Sequence, residues 1–266
     1  MPEGHTIHRL ARDLRRDLVD TELEASSPQG RFASGAKSLD GQVLTATEAA
    51  GKHLFLHAGP NLTLYIHLGL IGKFRRFEAS TNRGDAVRLR FEREDFAWSL
   101  TGPHTCRLIE PPEVEEIIAR LGPDPLRRRS SPDQFIDKAA KSNKAIGALL
   151  LDQNVIAGIG NVYRSELLFL AGIHPATPAK NLDGGVVRKI WDTTVELLRL
   201  GVRLDRIVTV TRADANGTKP GRLGPDNRLY AYKRTGEPCR RCDTPIATAP
   251  IAGRSIWWCP RCQPAR

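Results

Sequence analysis

Four of the five cysteines crowd into the C-terminal 28 residues as Cys239-x2-Cys242-x16-Cys259-x2-Cys262. Each pair can fold as a knuckle that presents two thiolates, and four thiolates complete a tetrahedral shell around one zinc ion. Two disulfides or four free thiols are the alternatives; in a chain expected to be cytosolic the metal is favoured. A shell closed by four sulfurs has no open position, so the expected Zn2+, one per chain, is structural. Cys106 stands alone and reads as a small buried residue. Between the cysteine pairs, Pro245–Ala249 and Arg254–Trp258 read as two strands joined by Pro250-Ile251-Ala252-Gly253. Arg254, just past that turn, sets a guanidinium where it can grip a phosphate with two bonds. An exposed arginine with no task is an equal reading of that residue alone.

A second constellation is Gly158-Ile159-Gly160-Asn161. Its glycines let backbone approach a phosphate, Asn161 is expected to cap the helix that follows, and the first amides of that helix make an anion site. A capped helix start with no ligand competes with this. Charge supports the polyanion. Residues 1–133 carry 19 basic and 19 acidic side chains, whereas residues 134–266 carry 21 and 11, so the whole excess of +10 lies in the second half. Such a half suits DNA or RNA, with a solvated basic surface as the plainer alternative.

The elements that must hold these groups fall into two regions. Ile7, Leu10, Leu14 and Leu18 recur at helical spacing, which predicts a helix starting almost at residue 2. From about 42 to 109 the pattern is that of short strands, with 62–66, 73–77 and 87–91 the clearest, and a β-sandwich is expected. Helices are predicted over 113–121, 145–151, 161–171 and 186–200. Residues 211–226, rich in glycine and proline, form a loop long enough to be functional or disordered. The expected layout is an N-terminal domain over 1–126, a linker over 127–134, a helical domain over 135–232 and a zinc ribbon over 233–266. No apolar run approaches the roughly 20 residues of a membrane span, and the first residues lack the basic and apolar segments of a signal peptide, so a cytoplasmic location is expected.

The start, Met1-Pro2-Glu3-Gly4, resembles the Fpg/Nei family of DNA glycosylases, the endonuclease VIII branch in particular. Five further segments agree in order: Gly51-Lys52, His67-Leu68-Gly69, Leu121-Gly122-Pro123-Asp124-Pro125-Leu126, Gly158-Ile159-Gly160-Asn161-Val162-Tyr163 and Gly236-Glu237-Pro238-Cys239. The resemblance closes with the cysteine motif, which contains Gly253-Arg254-Ser255. It implies that Pro2, freed by removal of Met1, is the nucleophile, that Glu3 shuttles protons and that Lys52 assists beside the lesion. It also implies a helix–two-turn–helix around Asn161, with Asn161 and Arg254 on phosphates. Leu70 and Ile71 then fill the space left by an extruded base, although on residue type alone they read equally as strand core. Glu166 matches a family acidic residue and is set aside as structural. Without the resemblance Pro2 reads as an ordinary helix-start proline.

Three positions depart from the 8-oxoguanine enzymes of that family. Pro103-His104-Thr105-Cys106 stands where they have Pro-Arg-Arg-Phe, Gly147 where they have a lysine, and Thr6 where they have a second glutamate. Preference for oxidised purines is thereby put in doubt; chemistry at Pro2 and Glu3 is not. The expected protein is α+β: an N-terminal β-sandwich with flanking helices, then a helical domain with a helix–two-turn–helix and a four-cysteine zinc ribbon, with DNA in the cleft between. It would be a monomeric bifunctional glycosylase and AP lyase acting on damaged DNA, duplex or single-stranded. Oxidised pyrimidines are its preferred lesion, a proline Schiff base its intermediate and β,δ-elimination its cleavage step. The alternative from another class is a non-catalytic DNA-binding zinc protein.

Overall fold

The computed structural model describes residues 2–81 and 84–265. The chain divides into two compact units, Met1–Arg120 and Leu121–Arg266.

The first unit contains, in chain order, α1 (Gly4–Leu18), β1 (Glu24–Ser26), α2 (Ala33–Leu39), β2 (Leu44–Ala50), β3 (His53–Ala58), β4 (Leu62–His67), β5 (Lys73–Glu78), β6 (Val87–Glu92), β7 (Phe96–Thr101), β8 (Thr105–Ile109) and α3 (Pro111–Ala119). Two antiparallel four-stranded sheets, ordered β1-β6-β7-β5 and β2-β3-β4-β8, make the expected sandwich. Strand alternation explains the core. Leu54, Leu56, Leu64 and Ile66 of one sheet meet Phe74, Leu89, Phe91, Trp98 and Leu100 of the other, each almost wholly buried. Helix α1 adds Ile7, Leu10, Leu14 and Leu18 to the same core. It is pinned to β2, where the Thr47 hydroxyl donates to the Ala11 carbonyl at 2.7 Å and the Arg15 guanidinium donates to the Thr47 carbonyl at 3.0 Å.

The second unit holds α4 (Asp133–Ala140), α5 (Ile146–Leu149), α6 (Asn161–Ala171), α7 (Gly184–Leu204) and the hairpin β9 (Ala247–Ile251) and β10 (Arg254–Trp258). Phe135, Ile146, Tyr163, Leu167, Ile190, Trp191 and Leu198 form its main core, which Ile256 of the hairpin joins. A smaller cluster of Phe169, Val208, Val210, Leu223, Tyr230 and Ile246 lies with Cys239 and Cys259. Leu126 packs against the main core. Among the described residues no helix is long and apolar enough to cross a membrane.

Two local expectations are corrected. The helix expected to start almost at residue 2 begins at Gly4, with Glu3 as its N-cap in an extended conformation (φ −124°, ψ −179°), so Pro2 precedes the helix and is not a helix-start proline. In the C-terminal hairpin Pro250 and Ile251 belong to the strand, and the connection is Ala252-Gly253 alone. Both residues have positive φ, 53° and 69°, which is the backbone of a two-residue type I′ hairpin. Pro250, without an N–H, is tolerated because the ribbon has only two strands and therefore only edges.

Candidate active site and nucleic-acid interface

Pro2 is half-buried and leads directly into Glu3, whose side chain has no solvent exposure. The Glu3 carbonyl accepts the first helical bonds, from Thr6 N at 2.9 Å and Ile7 N at 3.4 Å. The carboxylate therefore sits at the positive end of a 15-residue helix dipole. His5 is 4% exposed, and burial lowers its pKa to about 4, so it is neutral at physiological pH. Met1, whose removal the Pro2 chemistry requires, lies outside the described residues.

Lys52 sits with Gly51 in the two-residue turn between β2 and β3, where Ala50 pairs with His53. Positive φ falls on Gly51 (56°) and not on Lys52, the pattern of a type II′ turn, which asks for glycine at its first central position. Register then aligns His53, His67 and Thr105 across three strands, one residue beyond Lys52. His53 shares a 2.8 Å hydrogen bond with the Tyr65 hydroxyl through Nδ1 and packs at 5.3 Å on His67, which meets His104 edge-on at 5.5 Å. Burial, then the His67 and Lys52 charges, lowers the pKa of His53 to about 4. Burial, His104 and Lys52 lower that of His67 as well. The edge thus sets the Lys52 ammonium beside two imidazoles, those of His53 and His67, whose protonation is disfavoured.

Beyond His67 the chain plants Leu68 in the core, 2% exposed, and then projects Leu70 and Ile71, which are 65% and 77% exposed. They are not strand core. Gly69 (φ 67°) makes this possible, because a Cβ there would fall 2.8 Å from that of His104. Two exposed aliphatic side chains therefore stand on a turn whose Gly69 lies against His104.

In the second unit Asn161 and Arg254 come together. Gly160 takes the N-cap of α6 and Asn161 is its first helical residue, so Asn161 is not the cap the sequence suggested. Its Nδ2 instead donates to the Ser255 carbonyl at 3.1 Å, while its Oδ1 is buried without a partner. The fully buried Arg164, one turn on, donates to the carbonyls of Gly147, Ile251, Arg254 and Ser255 at 3.0–3.3 Å. The Arg254 backbone is thereby fixed and its side chain exposed. At Gly147, where the resemblance implies a lysine in the 8-oxoguanine enzymes, a Cβ would lie 2.9 Å from the Pro175 carbonyl and 3.0 Å from Ile256. Glu166, fully buried, accepts from Tyr230 N (2.7 Å), Ala231 N and Tyr232 N (both 2.8 Å) and the Thr209 hydroxyl, which is a structural task.

The sulfurs of Cys239, Cys242, Cys259 and Cys262 all lie within 4.8 Å of one another, with three pairs at 3.4, 3.5 and 3.9 Å. These separations are far beyond the roughly 2.05 Å of a disulfide. They fit a tetrahedron, since a shell with metal–sulfur bonds of about 2.3 Å puts its sulfurs about 3.8 Å apart. The backbone amides of Arg241 and Cys262 point at Cys239 and Cys259 sulfurs at 3.4 Å. The donor set therefore suits a structural metal. Cys106 is half-buried, and burial pushes its thiol up to about 12. Sequence reasoning missed His53, Tyr65 and His104 as neighbours of Lys52, and missed Arg164 altogether; only strand register and tertiary packing bring them in.

An N-terminal sandwich with a proline ahead of a buried carboxylate, followed by a helical unit with a four-cysteine ribbon, defines a class of DNA glycosylase. Residues 1–106 match the formamidopyrimidine-DNA glycosylase N-terminal domain, 121–213 its H2TH domain and 236–265 the zinc finger found in FPG and IleRS. Over 268 residues, 99% of this chain and 100% of the relative, the sequence is 43% identical to endonuclease 8 1 of Mycobacterium tuberculosis. It is 32% identical to the formamidopyrimidine-DNA glycosylase of Gloeobacter violaceus, covering 100% and 99% of the two chains. MutM in complex with DNA containing carbocyclic 8-oxo-G superposes with a TM-score of 0.83 at 26% identity, over 99% of this chain and all of that one. Lactococcus lactis Fpg with abasic-site DNA gives 0.81 at 27% over the same shares. The chain belongs to the Fpg/Nei family, formamidopyrimidine-DNA glycosylases and endonucleases 8.

Proposed function

We propose that this chain is a bifunctional DNA glycosylase and AP lyase of base-excision repair that attacks its substrate through the amine of Pro2. The observation that carries the reading is the half-exposed Pro2 set directly before the wholly buried carboxylate of Glu3. Once Met1 is removed, the secondary amine of Pro2, with the pKa of about 7.7–8.0 usual for an α-amine, is partly neutral and nucleophilic near neutral pH. It attacks C1′ and the damaged base leaves, taking the bonding electron pair and a proton; the C1′–O4′ bond then breaks, O4′ taking its electron pair and a proton, and the open sugar is left joined to Pro2 as an iminium. The resulting iminium acidifies the C2′ proton; its removal expels the 3′ phosphate, and a second elimination expels the 5′ phosphate. Glu3 is the group that moves protons between these atoms. Lys52 assists from the edge of the sandwich, and Leu70 and Ile71 occupy the space the extruded nucleotide leaves. Asn161 and Arg254 hold phosphates. The four cysteines hold one Zn2+ that is structural and keeps Arg254 in place. The second unit is read as a helical DNA-binding part over 135–232 and a ribbon over 233–266, and the protein as a monomer working on DNA in the cytoplasm.

Borohydride reduction of the iminium on an abasic duplex tests this. The expected product is a covalent adduct mapped by mass spectrometry to Pro2 of a chain lacking Met1, absent in Pro2→Gly and reduced at least a hundredfold in cleavage for Glu3→Gln, in the ordinary range for a general acid–base group. A wild-type protein that binds the duplex but yields no adduct would establish the non-catalytic alternative.

A further inference from the structure

The two residues between the first pair of ligating cysteines are both arginines, Arg240 and Arg241, and both reach away from the ribbon into the same long segment. Arg241 donates from Nε to Asp214 Oδ2 at 3.0 Å, and its second amino group lies 3.0 Å from the same oxygen. Its guanidinium stacks 5.0 Å from the Tyr230 ring centroid and 5.3 Å from that of Phe169, rings that are themselves stacked at 4.6 Å. The Tyr230 hydroxyl donates to Asp214 Oδ2 at 2.5 Å and accepts from Thr211 N at 2.9 Å. The Tyr230 hydroxyl, and then Arg241, hold the Asp214 carboxyl below the usual range. Arg240 takes the other end: it donates to the Leu229 carbonyl at 2.9 Å, to Asn227 Oδ1 at 3.3 Å and to the Asp226 carbonyl.

We propose that Arg240 and Arg241 are positioning residues that clamp the 211–229 segment at both ends, so that filling of the cysteine site sets the order of that segment. The inference rests on reading the four cysteines as a metal centre. Its physical basis is leverage. Between the clamps the segment has two short 3-10 turns, Pro220–Arg222 and Pro225–Asn227, and one buried apolar anchor, Leu223. It therefore has little core of its own to fix it. The knuckle backbone is held by metal–sulfur bonds, and each arginine carries that rigidity into the segment through hydrogen bonds and stacking. What the clamps hold in place is basic. Arg212, Lys219 and Arg222 are exposed along it, which makes the segment a second cationic element for a polyanion, additional to Asn161 and Arg254.

The test is hydrogen exchange followed by mass spectrometry on the full chain, with metal content measured in parallel. Arg241→Ala is expected to raise exchange about tenfold over 211–217, leave 244–262 unchanged and leave metal content unchanged. Arg240→Ala should do the same over 226–229. Arg241→Lys, which keeps the ion pair and loses the planar stack, should recover part of the protection, whereas a purely space-filling role would give no such rescue. Stripping the metal with a chelator should loosen both stretches together. Unchanged exchange over 211–217 in Arg241→Ala would overturn the clamp. Metal-stripped protein whose ribbon loosens while 211–229 stays protected would overturn the coupling. Absence of metal from freshly purified protein, with the arginine variants still loosening the segment, would overturn the metal reading and leave the clamp standing.

Discussion

Glu166 offers the sharpest test of how the second unit is held. Its two oxygens accept four hydrogen bonds, and three of the donors are consecutive backbone amides, those of Tyr230, Ala231 and Tyr232. Consecutive amides converging on one carboxylate cannot be satisfied by a regular helix or sheet, so the carboxylate substitutes for secondary structure at the end of the 211–229 segment. Glu166→Gln keeps the shape and removes the charge. The amide oxygen can still serve one pair of donors, either Ala231 and Tyr232 or Tyr230 and Thr209. The amide nitrogen then faces the other pair. Thr209 can rotate to accept from it, so in the better orientation a single N–H, that of Tyr230, is left opposing a donor in a fully buried place. An unsatisfied buried donor costs about 1–3 kcal/mol, and the remaining bonds fall from charge-assisted to neutral strength, so a loss of about 2–4 kcal/mol is expected. At 1.36 kcal/mol per factor of ten, that is about 30- to 900-fold faster opening of the 230–232 amides. Hydrogen exchange resolved to those three residues is the assay, with α7 as the internal reference. Exchange at 230–232 raised by less than about threefold would refute the account of Glu166 as the acceptor that orders this segment.

Two further expectations follow from the first unit. His5 and His53 have folded pKa values near 4, below the ordinary 6.5, so the unfolded chain binds more protons between those pH values and stability rises with pH there. Their contribution is whole above about pH 6.5 and about 2 kcal/mol per histidine is lost by pH 5, so urea unfolding of His53→Asn should show a shallower decline from pH 7 to 5 than wild type, and an equal decline would refute it. On lesions, single-turnover excision of thymine glycol and 5-hydroxyuracil should outpace that of 8-oxoguanine opposite cytosine, because His104 stands where a bidentate arginine would supply about 1–3 kcal/mol of opposite-base discrimination. Faster 8-oxoguanine release with a strong cytosine preference would reverse this assignment.

Legibility of the sequence varied with the range of the interaction involved. Helix α6 runs over Asn161–Ala171 as its pattern predicts, because its start is marked by Gly160-Asn161 and its end by Gly172 in the left-handed region (φ 67°). The strands at 62–67, 73–78 and 87–92 were equally plain, since each needs only alternation and a turn. Helix α2 left no pattern: seven residues bury only Gly35, Ala36 and Leu39, and its geometry depends on Gly35 passing over the Phe32 ring, which a Cβ would strike at 2.3 Å. Helix α7 runs on through the buried Gly201 to Leu204, beyond its expected end. In the site, the cysteine spacing carried the metal geometry by itself. Pro2 became legible only through the resemblance, and the companions of Lys52 only through tertiary structure, because His53 and His67 are unrelated until the sheet pairs them and His104 meets His67 only by packing.

The departure at Gly147 bears on where base selectivity resides. Its N–H donates to the Pro175 carbonyl at 3.0 Å, its own carbonyl accepts from Arg164, and the space a side chain would need is taken by Pro175 and Ile256. A side chain cannot be added without displacing the Pro175 carbonyl and the tip of the Ile256 side chain. The position is therefore committed to seating the ribbon: one guanidinium joins the carbonyl of Gly147 to those flanking the Ala252-Gly253 turn. On the proposed role of Arg254 as a phosphate contact, a fixed backbone with an exposed guanidinium would lose little freedom on binding, which favours affinity without reading sequence. Selectivity among bases is then left to groups outside 145–148. In the second unit the segment free to differ is 211–226, clamped at its ends and light in core between them. In the first unit it is the turn bearing His104. Two separate elements with polar, adaptable side chains suit a broad lesion range better than one rigid lysine and one rigid arginine would, and the excision rates proposed above measure that breadth directly.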